Sequence, residues 1–290
     1  MQPRIHMFIR TTSPTFRGAL EFWETAMSAS TGTDDKGFRI VTIPCLRDNY
    51  AFLIHDSTTN RTALIDAPEA DPIETVLRAR GWKLDAILLT HHHDDHIAAV
   101  PALLQNHKAQ VYGAAADRHR LPPLDHALKG GDVFSLLGTP VEVIEVPGHT
   151  IGHIAFHLPE LTAAFTGDSL MVMGCGRLFE GTAAQMYHSL TQLAALPPET
   201  LIHSGHEYTE SNMRFALSIL PDDPSLRARA TKIAACRAEG SFTVPARLEK
   251  ELATNPFLRA HEAQIARAID MPDADPLRVF TRLRAMKDDF

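Results

Sequence analysis

The sequence predicts a layered α/β domain followed by a helical C-terminal region. Short apolar segments of strand length alternate with helical patterns between residues 38 and 206. Side chains of the metal-ligand type follow several of these segments, which is where open α/β folds build their sites. After residue 207 the strand patterns stop and helical patterns dominate. Strands interleaved with helices indicate a layered α/β architecture.

The strand predictions rest on short apolar or alternating segments bounded by turn residues. AILLT, for example, is a continuous apolar run of strand length, so we expect it to be buried on both faces. Strands are predicted at residues 38–43, 50–55, 62–67, 86–90, 110–113, 132–136, 141–146, 153–158, 162–167 and 200–204.

Start and stop signals define the first predicted helix. Asp71 is its expected N-cap, Pro72 stands in its first turn and Glu74 would complete a capping box. Gly81 should end it. Further helical patterns cover 97–107, 183–195, 209–219, 225–238, 245–253 and 259–269, before the basic terminal segment RVFTRLRAMKDDF.

The bulk composition is that of an ordinary globular protein. The 290 residues are 44% hydrophobic and carry a formal net charge of −7, so we expect no binding to nucleic acid or to an anionic membrane. No apolar run approaches the length of about 18 residues that a transmembrane helix needs. The three cysteines, Cys45, Cys175 and Cys236, are far apart, which argues for a reducing compartment. We expect a cytoplasmic protein, and a monomer.

Residues 1–37 differ in character from the rest of the chain and are expected to be a disordered N-terminal extension. They contain no apolar core long enough for a secretory signal. The segment is basic up to Arg17, as in an organellar transit peptide, but Glu21 and Glu24 break that pattern. Either Met27 is the physiological start or the whole segment is a tail.

The segment THHHDDH, at residues 90–96, predicts a metal site. Residues two apart on an extended segment point the same way, so His91 and His93 can hold one ion together. Asp95 and His96 fall where the next helix begins and can face a second ion. The alternative is a polar surface loop in a chain that carries 16 histidines. Two members of the run should point away from the metals, namely His92 and Asp94.

Three more candidate ligands stand alone, each directly after a predicted strand. They are His149 in VPGHTIGH, Asp168 in FTGDSL and His206 in IHSGHEY. Each by itself is as readily a structural polar residue, but together with the histidine run they predict a dinuclear site. Nitrogen and oxygen ligands suit two divalent ions, with zinc as the first choice and iron or manganese also compatible.

The pattern His-x-His-x-Asp-His, followed by an isolated histidine, aspartate and histidine, resembles the metallo-β-lactamase superfamily. A closer resemblance is to the hydroxyacylglutathione hydrolases, the type II glyoxalases. It is carried by PCLRDNYAFLI, THHHDDH, PGHTIGH, FTGDSLMVMGCGRLFEGT, SGHEYTESNMRFA, TVPARLEKE, NPFLR and RLRAMKDDF. It implies an αββα sandwich as the catalytic domain at 38–206 and a helical substrate-binding domain at 207–290.

The resemblance also implies roles for the candidate ligands. Asp168 would bridge the two metals together with a water-derived hydroxide, and Asp95 and Asp168 would be the catalytic carboxylates. Asp66 resembles an aspartate that supports the histidine loop, although it also reads as a turn residue. The first metal would be held by His91, His93 and His149. The second would be held by Asp95, His96 and His206.

The implied reaction is the hydrolysis of S-D-lactoylglutathione to D-lactate and glutathione, a step of methylglyoxal detoxification. The hydroxide would attack the thioester carbonyl while a metal stabilises the oxyanion. A thiol with a free pKa of about 8.5 leaves readily, so no general acid is required.

An acidic protein needs local cations to bind anionic glutathione. Arg177 stands where the family often has lysine, and Phe179 where it often has tyrosine, so the second change removes a hydroxyl from the substrate site. Cys175 is interpreted as a small packed residue. The implied substrate-binding residues are Arg177, Phe179, Tyr208, Arg284 and Lys287.

Two alternatives remain in other functional classes. One is a persulfide dioxygenase of the same superfamily, with one iron bound by two histidines and an aspartate. NPFLR and the basic helical tail are not expected in that family, nor in a β-lactamase or lactonase. The other is a metal-binding module without catalysis, which a complete ligand set for a water-activating site disfavours.

Overall fold

The computed structural model describes residues 30–31 and 37–290. The strands are β1 Ser30–Thr31, β2 Phe38–Cys45, β3 Asn49–Asp56, β4 Arg61–Ile65, β5 Leu84–Leu88, β6 Gln110–Ala114, β7 His126–Leu128, β8 Val133–Leu136, β9 Thr139–Glu145, β10 Ile154–Leu158, β11 Ala163–Gly167, β12 Leu170–Met171, β13 Gly174–Cys175, β14 Leu201–Ser204 and β15 Ala246–Arg247. The α-helices are α1 Ala70–Arg80, α2 Asp94–Ile97, α3 Val100–Asn106, α4 Ala183–Ala194, α5 Thr209–Ile219, α6 Pro224–Ala238, α7 Leu248–Thr254, α8 Ala263–Ala268 and α9 Pro276–Asp288.

Every predicted strand overlaps an observed one, but the predicted start of the first helix was wrong. Glu69 is the N-cap of α1 and makes no side-chain cap bond, so Asp71 lies inside the first turn. The Glu74 carboxylate accepts a hydrogen bond from Asn106 Nδ2 at 3.0 Å instead of closing a capping box. Gly81 ends the helix in the left-handed conformation, as predicted.

Most of the described strands form two large sheets, stacked with helices outside them, and β12 pairs with β13 in a separate two-stranded sheet. One sheet has the order β1-β2-β3-β4-β5-β6-β7 and the other β15-β14-β11-β10-β9-β8. Alternate residues of β3 point to opposite faces, so Phe52 joins the core between the sheets and Leu53 the core under α1 and α3. The rings of Phe52 and Phe165 lie 5.4 Å apart across the two sheets. This is the αββα arrangement of the metallo-β-lactamase fold.

Strand direction brings the candidate ligands to one edge of the sandwich. Strand β5 runs parallel to β4 and β6, and β11 runs parallel to β14, so the loops after these strands emerge together. A backbone hydrogen bond joins the two large sheets, from Ile154 N to Thr90 O at 2.9 Å, and another joins the ends of β14 and β11 within one sheet, from Gly205 N to Gly167 O at 2.9 Å. The candidate ligands are far apart in the sequence, but the strand ends that they follow lie close together in the fold.

The C-terminal helices share the core between the sheets rather than forming a separate one. Phe215, Phe257 and Phe280 belong to it, and the rings of Phe257 and Phe280 lie 5.8 Å apart. Asp275 caps α9 by accepting a hydrogen bond from Arg278 N at 3.1 Å. The basic terminal segment is therefore a docked helix.

The N-terminal prediction falls largely outside the described residues. Ser30–Thr31 pairs antiparallel with Ile40 and Val41 of β2, at the edge of the first sheet. Among the described residues, no helix is both long and apolar enough to cross a membrane.

Candidate metal centre and substrate cavity

The first group of candidate ligands consists of three imidazoles. His93 Nδ1 lies 3.1 Å from His91 Nε2 and 3.0 Å from His149 Nε2. His93 has extended backbone angles at the start of α2, so its side chain points to the same side as His91. Two ligands about 2.0–2.1 Å from a tetrahedral ion lie about 3.3 Å apart, close to these separations.

The second group lies beside the first. His206 Nε2 is 3.3 Å from His96 Nε2 and 3.5 Å from Asp95 Oδ2. Asp168 stands between the groups, with Oδ2 3.4 Å from His149 Nε2 and 3.2 Å from His206 Nε2. Both groups and Asp168 therefore form one continuous cluster at the edge of the sandwich.

A close backbone approach makes this cluster possible. A Cβ atom at Gly205 would lie 2.6 Å from Asp168 Oδ1 and 2.7 Å from His96 Cε1. Only glycine therefore fits where the loop after β14 passes Asp168, at the end of the neighbouring strand, and His96 of the other sheet.

In His149, His96 and His206, the ring nitrogen that faces away from the cluster has an oxygen partner. His149 Nδ1 donates to Arg177 O at 2.8 Å, and His96 Nδ1 donates to Asp66 Oδ2 at 2.8 Å. His206 Nδ1 lies 3.0 Å from Asp48 Oδ1. Such partners fix the tautomer of a metal-binding histidine and leave the other nitrogen free to coordinate.

The distribution of protons shows that the first group fits a cation. The Thr90 hydroxyl donates to Asp66 and so accepts from His91 Nδ1, which leaves His91 Nε2 as a lone pair. His149 Nε2 is a lone pair for the same reason, because Nδ1 donates to a carbonyl. Both lone pairs point at His93 Nδ1, which carries at most one proton. A metal ion resolves this surplus of lone pairs.

Charge favours a cation in the second group as well. Asp168 Oδ1 is buried and has no hydrogen-bond partner among the described residues. Burial acts against the ionised form of Asp168, but the imidazoles of His206 and His96 outweigh it and lower the pKa of the carboxyl. Burial also opposes protonation of His206, yet the Asp168 carboxylate raises its pKa to about 9. Carboxylates that draw protons onto neighbouring histidines would equally attract a divalent ion.

The surroundings of the first group favour neutral imidazoles, the form of histidine that binds metals. Burial lowers the pKa values of His91, His93 and His149, and neighbouring imidazoles lower them further. Burial likewise lowers the pKa of His153 to about 3, and its Nε2 accepts a hydrogen bond from Asp168 N at 3.0 Å.

Asp66 supports the histidine loop, as the resemblance implied. One carboxylate accepts from Thr90 N, the Thr90 hydroxyl and His96 Nδ1, each at 2.8 Å.

We expect Asp66→Ala to weaken metal binding about 10- to 100-fold, the usual cost of losing such a partner. Metal release to a chelator measures this. Asp85→Ala is the matched control, because Asp85 also accepts a backbone N–H but lies at the far end of β5. Equal metal retention in both variants would contradict the role.

Sequence reasoning missed several residues of this centre. Asp48 and Asn49 lie in PCLRDNYAFLI, but no spacing relates them to the histidine run. Asn49 Nδ2 donates to Asp95 Oδ2 at 3.0 Å, and His153 orients Asp168 through its backbone. His92 turns away, as predicted, and its Nδ1 lies 3.1 Å from Asp117 Oδ2.

A cavity of about 560 Å³ opens from the metal centre. All five predicted substrate-binding residues line it. Phe179 is exposed, and its ring meets those of His93 and His149 edge-on at 5.6 and 5.2 Å. Tyr208 stacks on His206 with ring centroids 4.6 Å apart. Cys175 also lines the cavity, is buried and belongs to neither ligand group, consistent with a packed residue.

The basic residues at the other end of the cavity differ in accessibility. Arg177 is 58% exposed and Nε lies 3.3 Å from Asp288 Oδ1. Lys287 Nζ donates to Ser211 Oγ at 3.1 Å. Arg284 is only 5% exposed and donates to Cys175 O and Asp288 Oδ1, each at 2.9 Å. Arg284 lines the cavity but is largely buried, because α9 docks this face against β13.

Comparison with known families accounts for nearly all of the described chain. The metallo-β-lactamase superfamily matches residues 46–206, and the hydroxyacylglutathione hydrolase C-terminus matches residues 207–290. The crystal structure of TTHA1623 in a di-iron-bound form matches with a TM-score of 0.53 and 28% identity, over 76% of this chain and 99% of that one.

Curated relatives give a closer match. The hydroxyacylglutathione hydrolase of Jannaschia sp. (strain CCS1) is 60% identical over 252 residues, covering 87% of this chain and 98% of the relative. That of Ruegeria pomeroyi is 59% identical over 251 residues, with the same coverage. The fold, the histidine and aspartate cluster and these relatives agree, and the chain belongs to the hydroxyacylglutathione hydrolase family of the metallo-β-lactamase superfamily.

Proposed function

We propose that this hydrolase cleaves S-D-lactoylglutathione to D-lactate and glutathione at a dinuclear centre, with zinc as the metal in both sites. Asp168 would bridge the ions. The proposed ligands of the first ion are His91, His93 and His149, and those of the second are Asp95, His96 and His206. One observation carries the proposal. Unprotonated histidine nitrogens and a carboxylate oxygen without a hydrogen-bond partner meet at one end of a cavity. Basic side chains lie at the other end of the same cavity.

The chemistry of the ligands makes iron and manganese the competitors of zinc. Imidazole and carboxylate suit all three metals. The di-iron form of TTHA1623 supports a two-metal centre of this kind. When bound, the ions would lower the pKa of water to about 7 and polarise the thioester carbonyl.

The protein's own contribution is to bind and orient the substrate. Arg177 and Lys287 place positive charge for the carboxylates of glutathione, away from the ligand groups. Tyr208 and Phe179 stand beside the ligands His206 and His149, where the thioester would lie. Because Phe179 has no hydroxyl, it can contact the substrate only through its ring. A thiolate leaving group needs no proton donor.

Hydrolysis followed by thiol titration tests this function. The enzyme should release one free thiol for each S-D-lactoylglutathione consumed, lose this activity on chelation and recover it when zinc is restored. Oxygen consumption and sulfite formation from glutathione persulfide would indicate the dioxygenase instead. Metal binding without thiol release or oxygen consumption would indicate a binding module.

We also propose that the enzyme is a cytoplasmic monomer. The three cysteines are unpaired, which suits a reducing compartment. The ligand groups and the cavity are built from residues of one chain, so a monomer supplies the proposed site.

A further inference from the structure

A charged cluster beside the metal centre has no part in the proposed chemistry. Arg120 Nε and Nη2 donate to Asp117 Oδ1 at 3.2 and 2.5 Å, and Nη2 also donates to Glu180 Oε2 at 3.1 Å. Its Nη1 donates to Glu180 Oε1. His92 completes the cluster, with Nδ1 3.1 Å from Asp117 Oδ2 and Nε2 3.5 Å from Glu180 Oε1.

The cluster joins loops that are separate in sequence. His92 lies between two of the proposed ligands, and Asp117 follows β6. Asp117 is buried, and a Cβ atom at Gly152 would lie 2.2 Å from its Cγ, so the loop after β9 closes directly over it. A guanidinium with donors on both edges is suited to hold two carboxylates at once.

Glu180 connects this cluster to the wall of the substrate cavity. Its Oε2 accepts from Ile151 N at 2.9 Å, and Phe179 N and Glu180 N donate to His149 O at 3.2 and 3.3 Å. Residues 177–181, the segment that contains Glu180, thus lie against the loop of a proposed ligand. Arg177 and Phe179, in the same segment, line the cavity. The hydrogen bond from Arg120 lowers the pKa of Glu180 to about 2, so the pair stays ionised through the physiological range.

We propose that Arg120 and Glu180 are positioning residues that hold residues 177–181, and with them Arg177 and Phe179, in the shape that binds the glutathionyl group. This inference rests on the proposed function. Neither residue lines the cavity or belongs to a ligand group among the described residues. Their influence therefore passes through the segment and appears in substrate binding rather than in metal binding.

The test is to measure KM and kcat separately in the Glu180→Gln variant. Its KM for S-D-lactoylglutathione should rise about 5- to 20-fold, the effect of weakening one partly exposed charge-assisted hydrogen-bond pair. Its kcat should stay within about twofold and its metal content unchanged, because the ligands are not displaced. Arg120→Met should do the same, and Arg120→Lys should recover part of the loss. The double variant Arg120→Met/Glu180→Gln should be no worse than the poorer single variant, since the two act as one unit.

Two controls separate positioning from general damage. Arg61→Met breaks an exposed ion pair with Asp85 at 3.4 Å, far from the cavity, and should leave KM unchanged. A small neutral thioester should be hydrolysed equally by Glu180→Gln and the parent. An unchanged KM for the glutathione thioester, an equal loss on both substrates or a loss of metal would each overturn the inference. Failure of the parent enzyme on the glutathione thioester would instead overturn the proposed function, and this inference with it.

Discussion

Asp168→Ala should abolish nearly all thioester hydrolysis and lower the metal content of both sites. Its carboxylate lies within 3.5 Å of a nitrogen in each ligand group, at His149 Nε2 and His96 Nε2. Removing it would take one proposed ligand from each ion and one negative charge out of a buried cluster. The loss should exceed the range of about 10- to 100-fold that is typical when a residue that only supports a ligand is removed.

Metal analysis and steady-state kinetics on the same preparation check this result. Asp132→Ala is a suitable control, since it removes an exposed carboxylate that accepts only from Lys129 N in a turn. Two metals per chain together with near-normal turnover in Asp168→Ala would refute the dinuclear assignment. A thermal melt without added metal should change less, because the fold buries its core independently of the ions.

Arg284→Ala/Lys287→Ala should lower kcat/KM for the glutathione thioester by about 10² to 10⁴, because hydrogen bonds to charged groups contribute about 1.5–3 kcal/mol each. The burial of Arg284 adds a second effect. Its guanidinium lies over the Phe257 ring at 5.2 Å and satisfies Cys175 O, so its removal should also lower the melting temperature. The double variant therefore combines weaker substrate binding with a less stable fold.

Lys287→Ala alone isolates the substrate effect. Lys287 donates one hydrogen bond to Ser211, and its Nζ lies 5.6 and 5.3 Å from the Phe215 and Phe290 rings. KM should therefore rise with metal content unchanged, and the melting temperature should fall less than in the double variant. Lys250→Ala, which removes a lysine 63% exposed and outside the active-site cavity, is the matched control. A small neutral thioester should be hydrolysed equally by Lys287→Ala and the parent. If KM for the glutathione thioester does not change either, Lys287 has no part in glutathione binding.

The elements of the fold were largely readable from local patterns. Strands such as β5 and β10 are mostly apolar, which predicts their burial, and α5 was predicted with its observed bounds, Thr209–Ile219. Five short strands were missed, namely β1, β7, β12, β13 and β15. Segments of two or three residues carry no periodicity, and they exist only because a partner strand lies beside them. The pattern at 97–107 likewise predicted one continuous helix, whereas the structure has a break there between α2 and α3.

The candidate ligands could be named in advance because each follows a strand, and strand ends are local features of the sequence. Their division into two groups with Asp168 between them depends on how β5, β11 and β14 are ordered in two different sheets. The order of these strands in the sheets cannot be derived from the spacing of residues along the chain. The same holds for Asp48, which reaches His206 only because β3 lies beside the loop after β14.

The sequence by itself determined the kinds of chemistry this protein can perform, because histidines and aspartates at strand ends and basic residues in a helical tail are properties of residues and their local order. Only the tertiary structure decided how exposed each of these charges is. Arg177 and Arg284 are both arginines beside one cavity, yet the first is exposed and the second is buried against Cys175. The physical reason is that burial and hydrogen-bond partners are set by elements far away in the chain, which local sequence cannot specify.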